Sequence, residues 1–499
     1  MDSLQSVVAT VGEYIWYVMF AVLIAAGLFL TARTRAVQVR SIGEMFRVIG
    51  EPSGTRADGR KQISSFRAFT ISAASRVGTA NIAGVAIAIT VGGPGAVFWM
   101  WLIATIGAAS AFVESLLAQL YKHHGKDSYI GGPAYYMTRG LNARWMGVLF
   151  AVIICVTYGF VFNMVQSNSI ADAVSESLNG VAPEFASSTA LKVILGIILT
   201  AITALIIFGG VRSISAVTQI LVPVMAILYI LLGLIVVVMN LGEVPHVIAQ
   251  IFAGAFGIRE FVTGGVIGVI MQGVRRGLFS NEAGMGSAPN AGATAAVSHP
   301  AKQGFVQSLG VYFDTLVVCS ITAFIVLLSE PAFGDSAEGA SLTQNALAAQ
   351  LGGWAVHFLT VAIFLFAYSS VIGNYYYGES NIEFLTEKRW VLQVFRLLVL
   401  VCVFTGTVVA LDLVWSLADV FMAVMALLNL IAICALSGVA ARVLRNYERQ
   451  RRSGQEPIFR ASDEPWLKNL EVWDGEDEVT TRQFWIDQDA AKRARARRG

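Results

Sequence analysis

Between Phe66 and Tyr121 the chain is hydrophobic, and in the middle of that run sits Ser75-Arg-Val-Gly-Thr-Ala-Asn-Ile-Ala-Gly-Val85. A helix that only anchors a protein in lipid gains nothing from such a stretch, because unsatisfied polar groups are costly at membrane depth. Two arrangements meet that cost. A spanning helix broken near its middle would turn freed carbonyls and amides, with the Thr79 and Asn81 side chains, onto a bound solute or ion. Alternatively, Gly78 and Gly84 would let two helices pack closely, with Asn81 bonding across the contact.

Apolar runs of about 20 residues recur along the chain without strand-like alternation. With 56% hydrophobic and 14% charged residues and a mean hydropathy of +0.65, against roughly a quarter charged in soluble domains, this is an all-α integral membrane protein. The net charge of +2 decides little, since the placement of charge is what orients such a chain. Cys155, Cys319, Cys402 and Cys434 lie in apolar segments at no metal-ligand spacing and read as small buried hydrophobes.

Met1 to Glu13 lacks the basic region and cleavage site of a secretory signal, so Tyr14 to Ala32 is expected as a retained helix. The basic linker after it, from Arg33 to Arg67, belongs in the cytoplasm and puts the amino terminus outside. Within it, Val37 to Ile49 fits a short interfacial helix or a plain loop equally well. Ten further spans are expected: about Phe66 to Val91, Ala96 to Tyr121, Trp145 to Ser175, Leu191 to Phe208, Ser213 to Met239, a second interrupted region at Gly264 to Gly292, Phe305 to Leu328, Trp354 to Tyr377, Trp390 to Ala410 and Leu413 to Arg442. Lys122 to Arg144 and Arg212 mark inner loops, Ser329 to Gly352 an outer one, and Arg442, Arg445, Arg449, Arg451 and Arg452 an inner carboxyl end. An outside start and an odd number of crossings, eleven, end inside as those arginines require. From about Tyr447 the tail mixes acids and bases with few apolar residues and is expected to be solvated and partly disordered. Its basic end, Lys492 to Arg498, reads as soluble charge rather than a lipid contact.

Without the first helix ten spans remain, and the two interrupted regions open successive blocks of five. Five is odd, so the second block must insert upside down, the pattern of a carrier with its site near the bilayer midplane. That favours the binding role of Thr79 and Asn81 over helix packing. The divisions are then 1–65, a peripheral helix with its linker; 66–240 and 241–443, the two five-helix repeats; and 444–499, a charged cytoplasmic tail.

The segments VGTANIAGVA, GGPGAVFWMW, IGGPAYYM, RRGLFSNEAGMGSAPNAGA and YYYGESN resemble the sodium:alanine symporters, over about Phe66 to Arg442. The resemblance implies a LeuT-type fold in a prokaryotic inner membrane, importing alanine, glycine, serine or another small neutral amino acid with sodium. It implies that Thr79, Ala80 and Asn81 line the solute, with Gln166 from the third core helix and Phe279, Ser280 and Asn281 from the sixth. Sodium, the coupling ion, would lie between the carbonyls of Arg76, Val77 and Thr79 and the hydroxyls of Ser369 and Ser370. No organic cofactor, nucleic acid or obligate protein partner is implied; lipid is the surrounding partner. The usual family segment reads Gly-Thr-Gly-Asn, and Ala80 departs from it, which leaves the exact solute open.

Arg275, Arg276 and Glu282 read as an intracellular gate or structural ion pairs rather than ligands, because an unpaired arginine is expensive in an apolar pocket. Glu114 faces the bundle or a vestibule. Asp314 and Asp412 read as helix-end or bundle-facing groups that keep proton coupling open as an alternative. His123, His124, His246, His299 and His357 are scattered and form no catalytic constellation. An ion channel is the competitor from another class, but broken helices in repeated blocks favour alternating access over a continuous pore.

Overall fold

The polar cluster at Ser75 to Val85 breaks its helix. In the computed structural model α1 (Asp2–Arg33) precedes α2 (Ser65–Arg76) and α3 (Ala83–Gly92), and the arms on either side of Val77 and Gly78 bend by 63°. Described are all residues except 1, 56–58, 60, 126–127, 258–264, 332, 334–338, 410 and 497–499 and, for side chains, also 2–11, 411–413 and 492–496. Arg56, Arg60, Asp335 and Glu338, the Asp412 side chain and the basic end of the tail therefore lie outside the described residues.

From the bend the chain continues through α4 (Ala96–Leu120), α5 (Arg144–Asn179), α6 (Thr189–Ile207) and α7 (Gly210–Met239). A second interruption separates α8 (Gly265–Asn281) from the short α9 (Ala288–Gly292). Then come α10 (Ala301–Leu327), α11 (Gly339–Leu351), α12 (Trp354–Leu385), α13 (Arg389–Gly406), α14 (Leu411–Ala435) and α15 (Ser437–Arg452). Val37 to Ile49 is helical, as Val37–Arg40 and Ile42–Ile49. Among the described residues nine helices are long and apolar enough to cross a bilayer, and the bent pair makes a tenth. The expected eleventh crossing is not among them: the glycine-rich segment between α8 and α9 leaves two arms, each too short to pass as a span.

Two helices widen locally. Cys155–Phe162 in α5 and Tyr312–Cys319 in α10 are π-helical, a distortion that re-aims side chains and is frequent at functional sites. Both stretches face the interruptions.

The tail departs most from expectation. Beyond α15 the chain does not float in solvent: Phe459, Val472, Trp473, Val479, Phe484 and Trp485 are buried. The Phe459 amide donates to the Ser298 carbonyl (2.8 Å), and Trp473 Nε1 reaches the carbonyls of Gln119 and Leu120, each at 3.2 Å. Trp473 and Tyr129 sandwich the buried Lys122 ammonium, 4.5 and 3.9 Å from the ring centroids. A few aromatic residues spaced along a charged segment are enough to dock it, because each buries a large apolar area. Behind α15 a short helix, α16 (Arg482–Ala496), closes the described chain.

Candidate functional site

The break between α2 and α3 is held by side chains from five other helices. Asn81 accepts from the Gly78 amide through Oδ1 (3.1 Å), and Gln166 of α5 accepts from the Thr79 amide through Oε1 (3.2 Å). Two amides that the missing helical turn would have paired are thus satisfied. Asn81 Nδ2 donates to Asp314 Oδ1 on α10 (2.5 Å) and lies 3.5 Å from Ser280 Oγ on α8; Ser280 donates to Asp314 Oδ2 (2.5 Å). The Asn81 carbonyl accepts from Thr322 (2.6 Å), and the Ile82 carbonyl from Thr343 of α11 (3.4 Å). Gly78 has no room for more than hydrogen: a Cβ there would run into Ser370 Oγ and come within 3.2 Å of Gln166 Oε1. Thr79 Oγ1 is buried and unpartnered.

On the other side of the break, Ser369 and Ser370 of α12 donate to one carbonyl, that of Ala74, at 3.3 and 2.9 Å. The carbonyls expected around sodium together with these hydroxyls were those of Arg76, Val77 and Thr79. The Arg76 carbonyl accepts instead from the Gly78 amide (2.9 Å), and its guanidinium is tied to Gln307 Oε1 (2.6 Å) and Ser72 (2.9 Å). A helix ending at Arg76 leaves its last-turn carbonyls free, and Ala74 is in that turn.

The two interruptions touch. Ser75 Oγ lies 3.1 Å from Glu282 Oε1 and 2.6 Å from Asn374 Oδ1, and Ser287 donates to Glu282 Oε2 (2.6 Å). Glu114 of α4 accepts from the amides of Gly284 (3.3 Å) and Gly286 (3.1 Å) and from Asn429 Nδ2 (2.8 Å). Both glycines have positive φ, 84° and 82°, and the paired amides of such a turn make an anion cradle. The Phe279 ring is wedged between Phe162 (centroids 4.8 Å apart) and Trp415 (5.2 Å).

The remaining charges take one branch of each expected alternative. Arg276 pairs with Asp419 (3.1 Å) and stacks 4.8 Å over Trp415, next to α3 and on the side of the break away from the docked tail. A structural pair, one of the two expected roles, is therefore present. Arg275 lies 5.6 Å over Trp16, and Glu282 bonds hydroxyls rather than either arginine. Asp314 is the bundle-facing group of the two alternatives; it joins Asn81 to Ser280. Its signal was in the sequence, since a carboxylate at membrane depth demands partners, whereas its partners were not.

Of the expected site residues, Thr79, Asn81, Gln166 and Ser280 are linked to the break by hydrogen bonds and Ser369 and Ser370 by the Ala74 carbonyl, while Phe279 packs on Phe162 and Trp415. Asn281 is near but directed elsewhere: its Oδ1 accepts from the Ala283 amide (3.0 Å) and its Nδ2 is unpartnered.

The profile of the Sodium:alanine symporter family matches residues 1–461. The amino-acid carrier protein AlsT of Bacillus subtilis is 51% identical over 474 residues, covering 95% of this chain and 98% of AlsT. The probable sodium/glutamine symporter GlnT of the same organism is 46% identical, covering 96% and 98%. The crystal structure of MhsT in complex with L-phenylalanine superposes with a TM-score of 0.52 at 12% identity, over 79% of this chain and 99% of MhsT, a likeness of fold.

Proposed function

The chain belongs to the sodium:alanine symporter family, and from that premise we propose that it imports a small neutral amino acid together with sodium by alternating access. Its work is secondary active transport, not catalysis. The observation that carries the reading is the 63° break, whose amides and carbonyls meet Gln166, Thr322, Ser369 and Ser370 instead of continuing a helix.

In this reading Thr79, Ala80 and Asn81, with Gln166 and Phe279 to Asn281, hold the carboxylate and amino group of the solute. The unpartnered Thr79 hydroxyl supports it, as a buried donor that lacks an acceptor. Sodium sits between α12 and the break, on the hydroxyls of Ser369 and Ser370 and the carbonyls of Arg76, Val77 and Thr79. The Ala74 carbonyl joins that set, because both hydroxyls already converge on it. Oxygens gathered in this way replace a hydration shell. Sodium then pins the break against α12 and readies the nearby amides for a carboxylate, so that the solute binds best after the ion. At 100 mV the inward move of one sodium supplies about 2.3 kcal/mol.

We read residues 66–240 and 241–443 as inverted five-helix blocks of a LeuT-type core, between the segment 1–65 and the tail 444–499. The second interrupted region supplies the eleventh crossing in this scheme. The charge pattern supports an outside amino terminus and a cytoplasmic tail in a prokaryotic inner membrane. Asp314 supports a second reading of the coupling ion, since a carboxylate bonded to Asn81 and Ser280 within the break can carry a proton.

The test is uptake into vesicles reconstituted with the protein, with glycine, alanine, serine and glutamine in competition, under a sodium gradient and then under a proton gradient. Sodium-driven, saturable uptake of one or more of the four is expected. A proton gradient that substitutes fully would favour the second reading, and no uptake despite intact reconstitution would overturn both. Ala80→Gly belongs in the same panel. If the methyl selects by size, the preference for larger solutes over glycine rises by a factor of roughly 10 to 200; a uniform change across all four refutes selection at Ala80.

A further inference from the structure

Where α1 ends, a pocket of about 420 Å³ opens between that end, α15 and the docked tail. Its wall carries five arginines, Arg35, Arg442, Arg445, Arg449 and Arg452, with Trp466 of the tail. On α15 the four arginines fall at i, i+3, i+7 and i+10, which aligns them on one face. The opposite face, through Val443, Leu444 and Tyr447, is buried against the bundle. Two glutamates also line the pocket, so three positive charges are in excess. Glu448 is paired away with Arg40 from outside the lining, and Glu464 accepts from Asn446 Nδ2 (2.6 Å) and from Trp466 Nε1. Among the described residues no carboxylate pairs with any of the five guanidinium groups. Arg442 instead lies 4.8 Å over the Trp466 ring.

Like charges gathered in a concave site repel one another, and a phosphate, with several acceptor oxygens, is the anion whose geometry the guanidinium fork matches. Position narrows the source. Arg35 follows the membrane span Gly12–Arg33 by two residues, and Arg442 follows the span Val414–Ala435 by seven, or about 10 Å of helix. The pocket therefore begins at headgroup depth. We propose that it binds the phosphate headgroup of an acidic phospholipid. The headgroup would lie against the α15 arginines and Arg35 with Trp466 as its outer wall, bracing the tail through that tryptophan.

The full-length protein, purified in zwitterionic detergent, is titrated with phosphatidylglycerol or phosphatidylcholine, and retained lipid is counted by native mass spectrometry. Retention of phosphatidylglycerol over phosphatidylcholine is expected. Arg445→Gln, Arg449→Gln and Arg452→Gln together are expected to lower it at least about tenfold, since each arginine near the surface changes lipid attraction roughly fivefold. These side chains are exposed, so the variant keeps its fold, and the thermal midpoint in phosphatidylcholine checks this. Arg144→Gln, Lys388→Gln and Arg389→Gln remove the same charge from exposed positions elsewhere and should leave retention unchanged. An equal loss in both triple variants overturns the proposal, as does undiminished retention in the first. Stabilisation by pyrophosphate without any preference between the two lipids would assign the pocket to a soluble phosphate and overturn the headgroup.

Discussion

Ser369 and Ser370 are neighbours on one helix, and each bonds both the Phe366 carbonyl within α12 and the Ala74 carbonyl across the interface. A hydroxyl that already has an acceptor in its own helix can turn its lone pairs to a cation without being stranded when the cation leaves. Replacing both by alanine is expected to raise the sodium concentration for half-maximal uptake by about tenfold or more, on the scale of a lost charge-assisted contact. Sodium activation curves at constant protein abundance check this; unchanged activation would move the ion elsewhere. Thr79 and Asn81 were legible in the sequence because polar side chains in an apolar run need a reason. Asp314 was visible too, but its role was not, because it depends on Asn81 and Ser280, far away along the chain. The bond from both hydroxyls to the Ala74 carbonyl was not legible either: it follows from where the helix stops, and a boundary is uncertain by a residue or two.

The second interruption is fixed less by its own residues than by Glu114 and Asn429. Glycines at 284 and 286 permit the left-handed turn, and Gly286 is also boxed in, since a Cβ would come within 2.9 Å of Asn429 Cγ and 2.7 Å of Pro133 Cγ. Glu114 supplies the acceptor that the turn requires. Glu114→Ala is therefore expected to strand two amides at about 1–3 kcal/mol each, lowering the thermal midpoint and abolishing uptake. Glu114→Gln, which keeps one acceptor, is expected to fall between. Thermal unfolding of the detergent-purified protein measures the order, and an alanine variant as stable as the parent would refute the anchoring role. The glycines announced this turn in the sequence. Its anchor on α4 was hidden, because no periodicity connects residue 114 with 284 or 429.

At the scale of the whole molecule, charge placement predicts sidedness: a reporter fused after Arg452 should be cytoplasmic and one inserted at Gly339 outside, and two reports from one side would refute the eleven-crossing scheme. The tail was misread because its charge was weighed and its sparse aromatics were not. Trp473→Ala, which empties the contact with Lys122 and α4, is expected to weaken tail docking by about 3–5 kcal/mol. Protease cleavage after α15 in inside-out vesicles should rise accordingly; equal resistance in both proteins would place the anchor at another residue. The seat of the tail is built from chain that is far upstream. Gln62 donates to Asp477 (3.0 Å), the Thr55 amide to Glu478 (2.6 Å), Arg139 to Glu471 (2.5 Å), and Trp473 caps α4. These sites come together only once the linker, α4, the following loop and the start of α10 have all been placed. The tail thus finds its seat only after these distant parts of the bundle have come together. A molecule with one misinserted span leaves Phe459, Trp473 and Trp485 bare, an apolar flag by which chaperones and proteases can tell unfinished copies from finished ones.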